Sequence, residues 1–257
     1  MYRVLLICTS AGEASWGAKT GLWLDELSIP YYILKDAGYE IEICSIKGGK
    51  PPVDPSFFTS GDIHEKSSQF IDDSEAQKKF NNSIPLREFS TNGRLESKSP
   101  ESHDLLQYSA ILLCGGHGCV DDFVDNEDIR DVVEFMYSIR KGCVGAICHG
   151  PLGLANCKHE GKLILAGKFV AAFSNEEEEV LGLSDVLPVL TEDLMDRAGA
   201  VCVPAEPWKA NVVVDGRLVT GQNPQSSLEI ALRMLDVLRS LGDEFSSPLN
   251  VNKPWGM

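Results

Sequence analysis

The sequence predicts an α/β protein, a three-layer α/β/α sandwich wound on both sides of a mainly parallel sheet. Three observations carry this. Apolar runs without polar alternation, at residues 2–8 and 108–114, read as strands buried on both faces. Segments of helical period lie between the strands, as a doubly wound topology requires. The run 143–147 stops abruptly at Cys148-His149-Gly150-Pro151, the sharp strand-to-helix turn of a nucleophile elbow.

In chain order, strand 2–8 opens the sheet, and the small, polar stretch 9–20 leaves its carboxyl end, where open α/β sheets bind ligands. Residues 21–37 have helical spacing, with Leu24, Leu27, Tyr31 and Leu34 on one face and Gly38 as the stop. Pro30 deprives the Glu26 carbonyl of its donor. An interruption there would turn Glu26 inward; a solvated acid beside a tolerated kink fits equally well. Residues 39–46 alternate as a partly covered strand. The stretch 47–104 is too long for a plain loop and carries Phe57, Phe58, Phe70, Phe80 and Phe89. It reads as a cap-like insertion in a single domain spanning 1–257, covering the site or building an oligomer contact.

Strand 108–114 ends in Gly115-Gly116-His117-Gly118, a turn that exposes backbone donors suited to an oxyanion and lacks phosphate-loop spacing. His117 either contacts substrate or caps the turn. A helix follows at 126–140, and another at 151–156 after the elbow. Residues 168–173 read as a strand. The acids Glu176 to Glu179 read as a solvated helix start, or as the source of a carboxylate that orients His149. A helix at 188–198, a hairpin of 211–214 with 218–220 around Asp215-Gly216, a last helix at 225–241 and an extended tail at 246–257 complete the chain.

The chemistry centres on Cys148. A thiol at such a turn lies near a helix N-terminus, which favours the reactive thiolate, and His149 is adjacent as a base or orienting partner. A lone Cys here would read as core; with His, Gly and Pro in this order it reads as a nucleophile. The net charge of −15 and a pI near 4.7 argue against nucleic acid and anionic membranes as partners, leaving a small substrate or another protein. The eight cysteines contain no C-x-x-C pair, so neither a metal nor a redox cofactor is expected. The first apolar run is too short for a signal peptide and no later stretch suits a membrane span, which sets the expected compartment as cytoplasmic.

Glu26-x-x-x-Pro30, Gly116-His117-Gly118, Ala146-Ile147-Cys148-His149-Gly150-Pro151, the segment from Phe173 to Glu178 and the segment from Asp215 to Pro224 together resemble the ThiJ/PfpI superfamily. These are flavodoxin-like folds related to class I glutamine amidotransferase domains. Gly17 to Gly21 and the long insertion are similar to the branch of heat-shock chaperones and cofactor-independent glyoxalase III enzymes. The resemblance implies Cys148 as nucleophile, Glu26 as the acid that contacts it, His149 as the triad histidine and Glu178 as the third member, with neighbouring Glu residues offering other registers. It implies Gly116 and the backbone around His149 as the oxyanion site. The activity implied is conversion of methylglyoxal and water to lactate without glutathione, through a Cys148 hemithioacetal with Glu26 moving the proton. A stress-response holdase binding unfolded clients is the alternative, and a cysteine peptidase or amidase ranks lower. A homodimer is the family habit.

Overall fold

The computed structural model describes residues 2–61, 63–90 and 104–242. Its strands are β1 (Arg3–Cys8), β2 (Glu40–Ser45), β3 (Ile84–Pro85), β4 (Tyr108–Leu113), β5 (Cys143–Ile147), the short pairs β6 (Lys158–His159) with β7 (Lys162–Leu163) and β8 (Phe169–Val170) with β9 (Val201–Cys202), then β10 (Val212–Asp215) and β11 (Leu218–Gly221). Seven of them form one sheet in the order β10-β11-β5-β4-β1-β2-β3. Every neighbour in it is parallel except the β10–β11 hairpin. This is the flavodoxin-like α/β arrangement.

The unalternating runs are explained by burial on both faces. Leu5 and Ile7 of β1 join one core with Ile111, Leu113, Ile129 and Val132. Val4, Leu6 and Cys8 point the other way, into a core with Leu27, Tyr31, Leu34, Ile230 and Met234 from α1 (Asp25–Asp36) and the helix Ser227–Ser240. Each face is apolar, so no polar position punctuates the strand. No helix among the described residues is long and apolar enough to cross a membrane.

Several elements differ from expectation, each for a local reason. The helix expected at 21–37 starts at Asp25, because Leu22 bonds to the 52–54 segment instead: its N–H donates to Pro52 O at 2.8 Å and its carbonyl accepts from Asp54 N at 2.9 Å. Pro30 sits within α1 without interrupting it, so Glu26 is turned inward by its place in the first helical turn. The stretch from 47 to 90 is largely structured. It holds a 3-10 turn at Pro55–Thr59, helices α2 (Glu65–Asp72) and α3 (Ser74–Asn81), and β3, which adds a strand to the main sheet. Phe57, Phe70, Phe80 and Phe89 are core residues, and Phe58 alone of the five is exposed, at 54%. The Ser/Thr-rich run after Ser90 and the expected extended tail at 246–257 lie outside the described residues.

The helix at 126–140 is α-helical over Glu127–Glu134 and π-helical over Phe135–Arg140. Residues 151–156 form only a 3-10 turn, Gly150–Leu154. The strand expected at 168–173 shrinks to β8, paired with β9 outside the main sheet; the Lys168–Asp215 ion pair at 2.6 Å anchors its start, and beyond it the chain bends to bring Phe173 beside Cys148. The helix at 188–198 spans Thr191–Arg197, and the last one is Ser227–Ser240. The hairpin forms around Gly216 at φ +64°, and β11 also pairs with β5, so the hairpin buttresses the elbow strand.

Candidate active site

Cys148 follows β5 directly and adopts φ +60°, a left-handed conformation that costs a non-glycine residue of order 1 kcal/mol or more. Neighbouring backbone over-determines it. The Cys148 N–H donates to Gly221 O at 2.8 Å, and its carbonyl accepts from Phe173 N at 3.0 Å. The glycines of the elbow are needed for close approach: a Cβ on Gly150 would lie 2.2 Å from Leu113 O. The thiol is left 3% exposed, at the floor of a pocket.

Glu26 lies beside Cys148. A Cβ on Gly115 would sit 2.5 Å from Glu26 Oε2 and 2.8 Å from Cys148 Cβ, so the missing side chain of Gly115 is what lets carboxyl and cysteine meet. Glu26 is wholly buried, and neither of its oxygens has a hydrogen bond of ordinary geometry. Burial pushes its pKa well above the carboxylate range, against the weaker opposing pull of the Cys148 thiol and the Gly115 N–H. Glu26 therefore rests as a neutral acid. The Cys148 thiol is itself pushed up, by burial first and by Glu26 second, while the Gly116 N–H directed at the sulfur acts the other way. The expected thiolate-favouring helix terminus is not there: a five-residue 3-10 turn has little dipole. Burial and Glu26 both favour the thiol over the thiolate.

His149 supplies what the helix does not. Its Nδ1 is 3.2 Å from Cys148 Sγ, and its Nε2–H donates to Glu178 Oε1 at 2.7 Å. Burial, then the neighbouring His117, keeps the His149 pKa below its ordinary value despite Glu178, so Nδ1 is a free lone pair facing the thiol proton. Phe173 stacks on the imidazole at 4.6 Å between centroids. Glu178 also accepts from His117 Nε2 at 3.1 Å. Burial raises the Glu178 pKa, but these two N–H bonds outweigh it and hold the group down at about 2. Among the four adjacent acids, Glu178 is the one that reaches His149.

The six residues singled out from the sequence thus fall in one cluster: Glu26, Gly116 and His149 beside Cys148, and Glu178 behind them, bonded to His149 and His117. His117, His149 and Glu178 also form a cluster whose ligand atoms lie within 4.8 Å of one another and could hold a cation. Their 2.7 and 3.1 Å separations are those of N–H···O bonds, whose protons a cation would have to displace.

Two features were not read from the sequence. Glu177 is buried and accepts from the Ser174 N–H and hydroxyl, Gln222 Nε2, Asn223 Nδ2 and the Trp208 N–H, all between 2.8 and 3.1 Å. It ties the start of the helix Asn175–Leu181, the end of β11 and the Trp208 loop to one carboxylate. The Ser174-x-x-Glu177 spacing of a capping box was the available signal. Trp208 itself, at φ +63°, packs edge-on against Phe173 and forms a pocket wall.

The fold and this site define a class: a flavodoxin-like α/β protein with a buried Cys–His–Glu arrangement on a nucleophile elbow and a second carboxyl against the sulfur. The chain belongs to the ThiJ/PfpI family, whose profile, described as ThiJ/PfpI family-like, matches residues 18–210. It is 29% identical over 254 residues to the glutathione-independent glyoxalase HSP31 of Saccharomyces cerevisiae, covering 93% of this chain and 98% of that protein. Among solved structures it is similar to the Rapid Encystment Protein 24 kDa of Francisella tularensis, with TM-score 0.82, 36% identity, and 93% and 99% of the two chains covered. It is also similar to glyoxalase III from Candida albicans, with TM-score 0.80, 26% identity, and 92% and 97% covered.

Two outcomes test the geometry. Glu178→Gln should lower the unfolding free energy at pH 7 by about 3 kcal/mol, since a carboxylate pKa held near 2 instead of 4.5 stabilises the fold by that order. A depressed acid stabilises above its unfolded pKa, so the gap between wild type and variant should close as pH falls from about 4.5 to 2. Urea melts across that range check it. Gly116→Ala places a Cβ 2.3 Å from Gly21 O at φ +108°, so it should both destabilise the fold, by roughly 1–3 kcal/mol, and withdraw the N–H from the sulfur. Thermal melts with alkylation rates of Cys148 read the two effects separately.

Proposed function

We propose that this protein is a glutathione-independent glyoxalase that converts methylglyoxal and water to lactate. The observation that carries the reading is a single sulfur with two neighbours able to move protons: His149 Nδ1 at 3.2 Å, and the buried carboxyl of Glu26, which has no hydrogen bond of ordinary geometry. Acyl transfer alone has no use for the second group; moving a proton between adjacent carbons does. Relatives and a structural neighbour named as glyoxalases support the same reaction.

The steps follow from the resting protonation. His149 takes the thiol proton as Cys148 Sγ adds to the aldehyde carbon, C1. Glu26 protonates the resulting oxyanion, beside the Gly116 N–H, and is left ionised in a dry site where it is a strong base. It removes the C1 proton while the His149 imidazolium protonates the C2 oxygen, giving an enediol. Glu26 returns the proton to C2, His149 takes the hydroxyl proton from the C1 oxygen, and a thioester of lactate remains. Water cleaves it, the sulfur recovers its proton from His149, and Glu26 recovers one from the product acid. C1 is oxidised and C2 reduced within one molecule, so no external redox partner enters.

The segment 51–60 acts as the cap side of the pocket, contributing Asp54, Pro55, Ser56, Thr59 and Ser60 to its wall within one domain. We place the protein in the cytoplasm as a homodimer; sedimentation of the purified chain tests the dimer. The holdase reading drew on the phenylalanines of the insertion, and four of those five are core residues. The deciding assay is lactate formation from methylglyoxal by purified protein without glutathione. Turnover supports the proposal; its absence, with Cys148 still reactive to an alkylating probe, overturns it.

A further inference from the structure

The pocket above Cys148 is far larger than the proposed substrate. It encloses about 670 Å³. Methylglyoxal has five non-hydrogen atoms, and at a water's share of roughly 30 Å³ apiece it fills at most about 150 Å³. The remainder is of the size that takes a drug-like ligand.

The walls of this extra space are aromatic and fixed. Trp16, Trp23 and Trp208 line it, with Phe173 nearer the sulfur. Phe173 is stacked on His149 and bears on Trp208, at 5.9 Å between centroids. The Trp23 backbone N–H donates to Gly115 O at 3.3 Å, and its ring packs edge-on against Phe57. The Trp208 backbone is held by the buried Glu177 at 2.9 Å, in a left-handed conformation that would not persist without such a tie. Trp208 is 36% exposed and lines the pocket instead of joining the core.

The hydroxyls in the lining are already engaged by the protein. Thr20 and Ser56 donate their hydroxyls to Asp54, Thr59 to Ser56 O and Ser60 to Phe57 O. Lys19 at the rim is paired with Glu13. An occupant of the outer pocket therefore meets the indole faces of three tryptophans beside satisfied hydroxyls, which favour a flat, apolar group.

Resting on the glyoxalase reading, we infer that the preferred substrates are 2-oxoaldehydes bearing an aryl or similarly flat apolar substituent, seated between Trp16, Trp23 and Trp208. The chemistry is unchanged: for phenylglyoxal, addition of Cys148 to C1, transfer of the C1 proton to C2 and hydrolysis of the thioester yield mandelate, with one water consumed.

The test uses the full chain and two readouts. One is glutathione-free kcat/KM for phenylglyoxal and methylglyoxal; the other is calorimetric binding of the unreactive products, mandelate and lactate. Burying a phenyl ring should favour mandelate over lactate, and phenylglyoxal over methylglyoxal, by roughly tenfold or more. Trp208→Ala and Trp16→Ala should each cut both ratios severalfold, mainly through KM. Mandelate binding no tighter than lactate overturns the inference, whatever the turnover. Tight mandelate binding without turnover of either aldehyde upholds the aryl site and sinks the glyoxalase reading instead. Turnover of methylglyoxal with equal product affinities does the reverse.

Discussion

Cys148→Ala is expected to abolish lactate formation from methylglyoxal, with a loss on the order of 10⁴-fold or more in kcat/KM, because no covalent intermediate can form without the sulfur. The fold should survive. The thiol's neighbours, His149 Nδ1, the Gly116 N–H and the Glu26 carboxyl, belong to the site, and the left-handed turn is held by backbone bonds to Gly221 and Phe173 that an alanine keeps. A variant that melts near wild type yet is inactive isolates the chemistry. Retained activity would remove the nucleophile and the proposal with it. Cys148→Ser is the sharper companion: a hydroxyl ionises far less readily than the thiol, and with only a neutral imidazole as base it should be nearly as inactive as alanine.

How far the sequence foretells this site differs residue by residue. β1, β4 and β5 are legible because both faces of each are apolar, and Cys148 is legible because His, Gly and Pro follow in the order that forces an elbow. Glu26 is legible only to even odds from the helix pattern. Its place in the first helical turn points it inward, but what admits it beside Cys148 is tertiary: Gly115, far along the chain, has no side chain to fill the space between α1 and the elbow. The register of the acidic run is hidden in composition, since Glu176 to Glu179 look alike. It is decided by the Ser174–Glu177 capping box, which fixes where the helix starts and so which acid faces His149. The helix that the residues after Cys148 suggest is not formed, because the chain makes one 3-10 turn there and lends the sulfur little dipole. The 168–173 stretch was misread as a sheet strand for a related reason. Its apolar run is buried by delivering Phe173 against His149 rather than by pairing in the sheet.

Glu26→Gln should lower kcat by 10²- to 10⁴-fold while still permitting addition of Cys148 to the aldehyde, since an amide fits the same slot but cannot carry a proton between carbons. Mass spectrometry should then find substrate mass retained on Cys148 where wild type turns it over. A variant of near wild-type kcat would assign the proton transfer elsewhere, His149 being the remaining candidate. The stability effect has the opposite sign to that of Glu178. A buried acid whose folded pKa lies above its unfolded value binds its proton more tightly in the folded state, so its contribution is full at low pH and is lost as pH rises from the ordinary carboxylate range through the raised pKa. Glu26→Gln removes that loss. The variant should therefore match wild type in acid and melt higher than wild type in base, while being the poorer catalyst at every pH. A residue whose removal stabilises the fold and disables the chemistry is the signature of a carboxyl kept in a dry site for its reactivity, and Glu26, buried without a hydrogen-bond partner of ordinary geometry, is placed to show it.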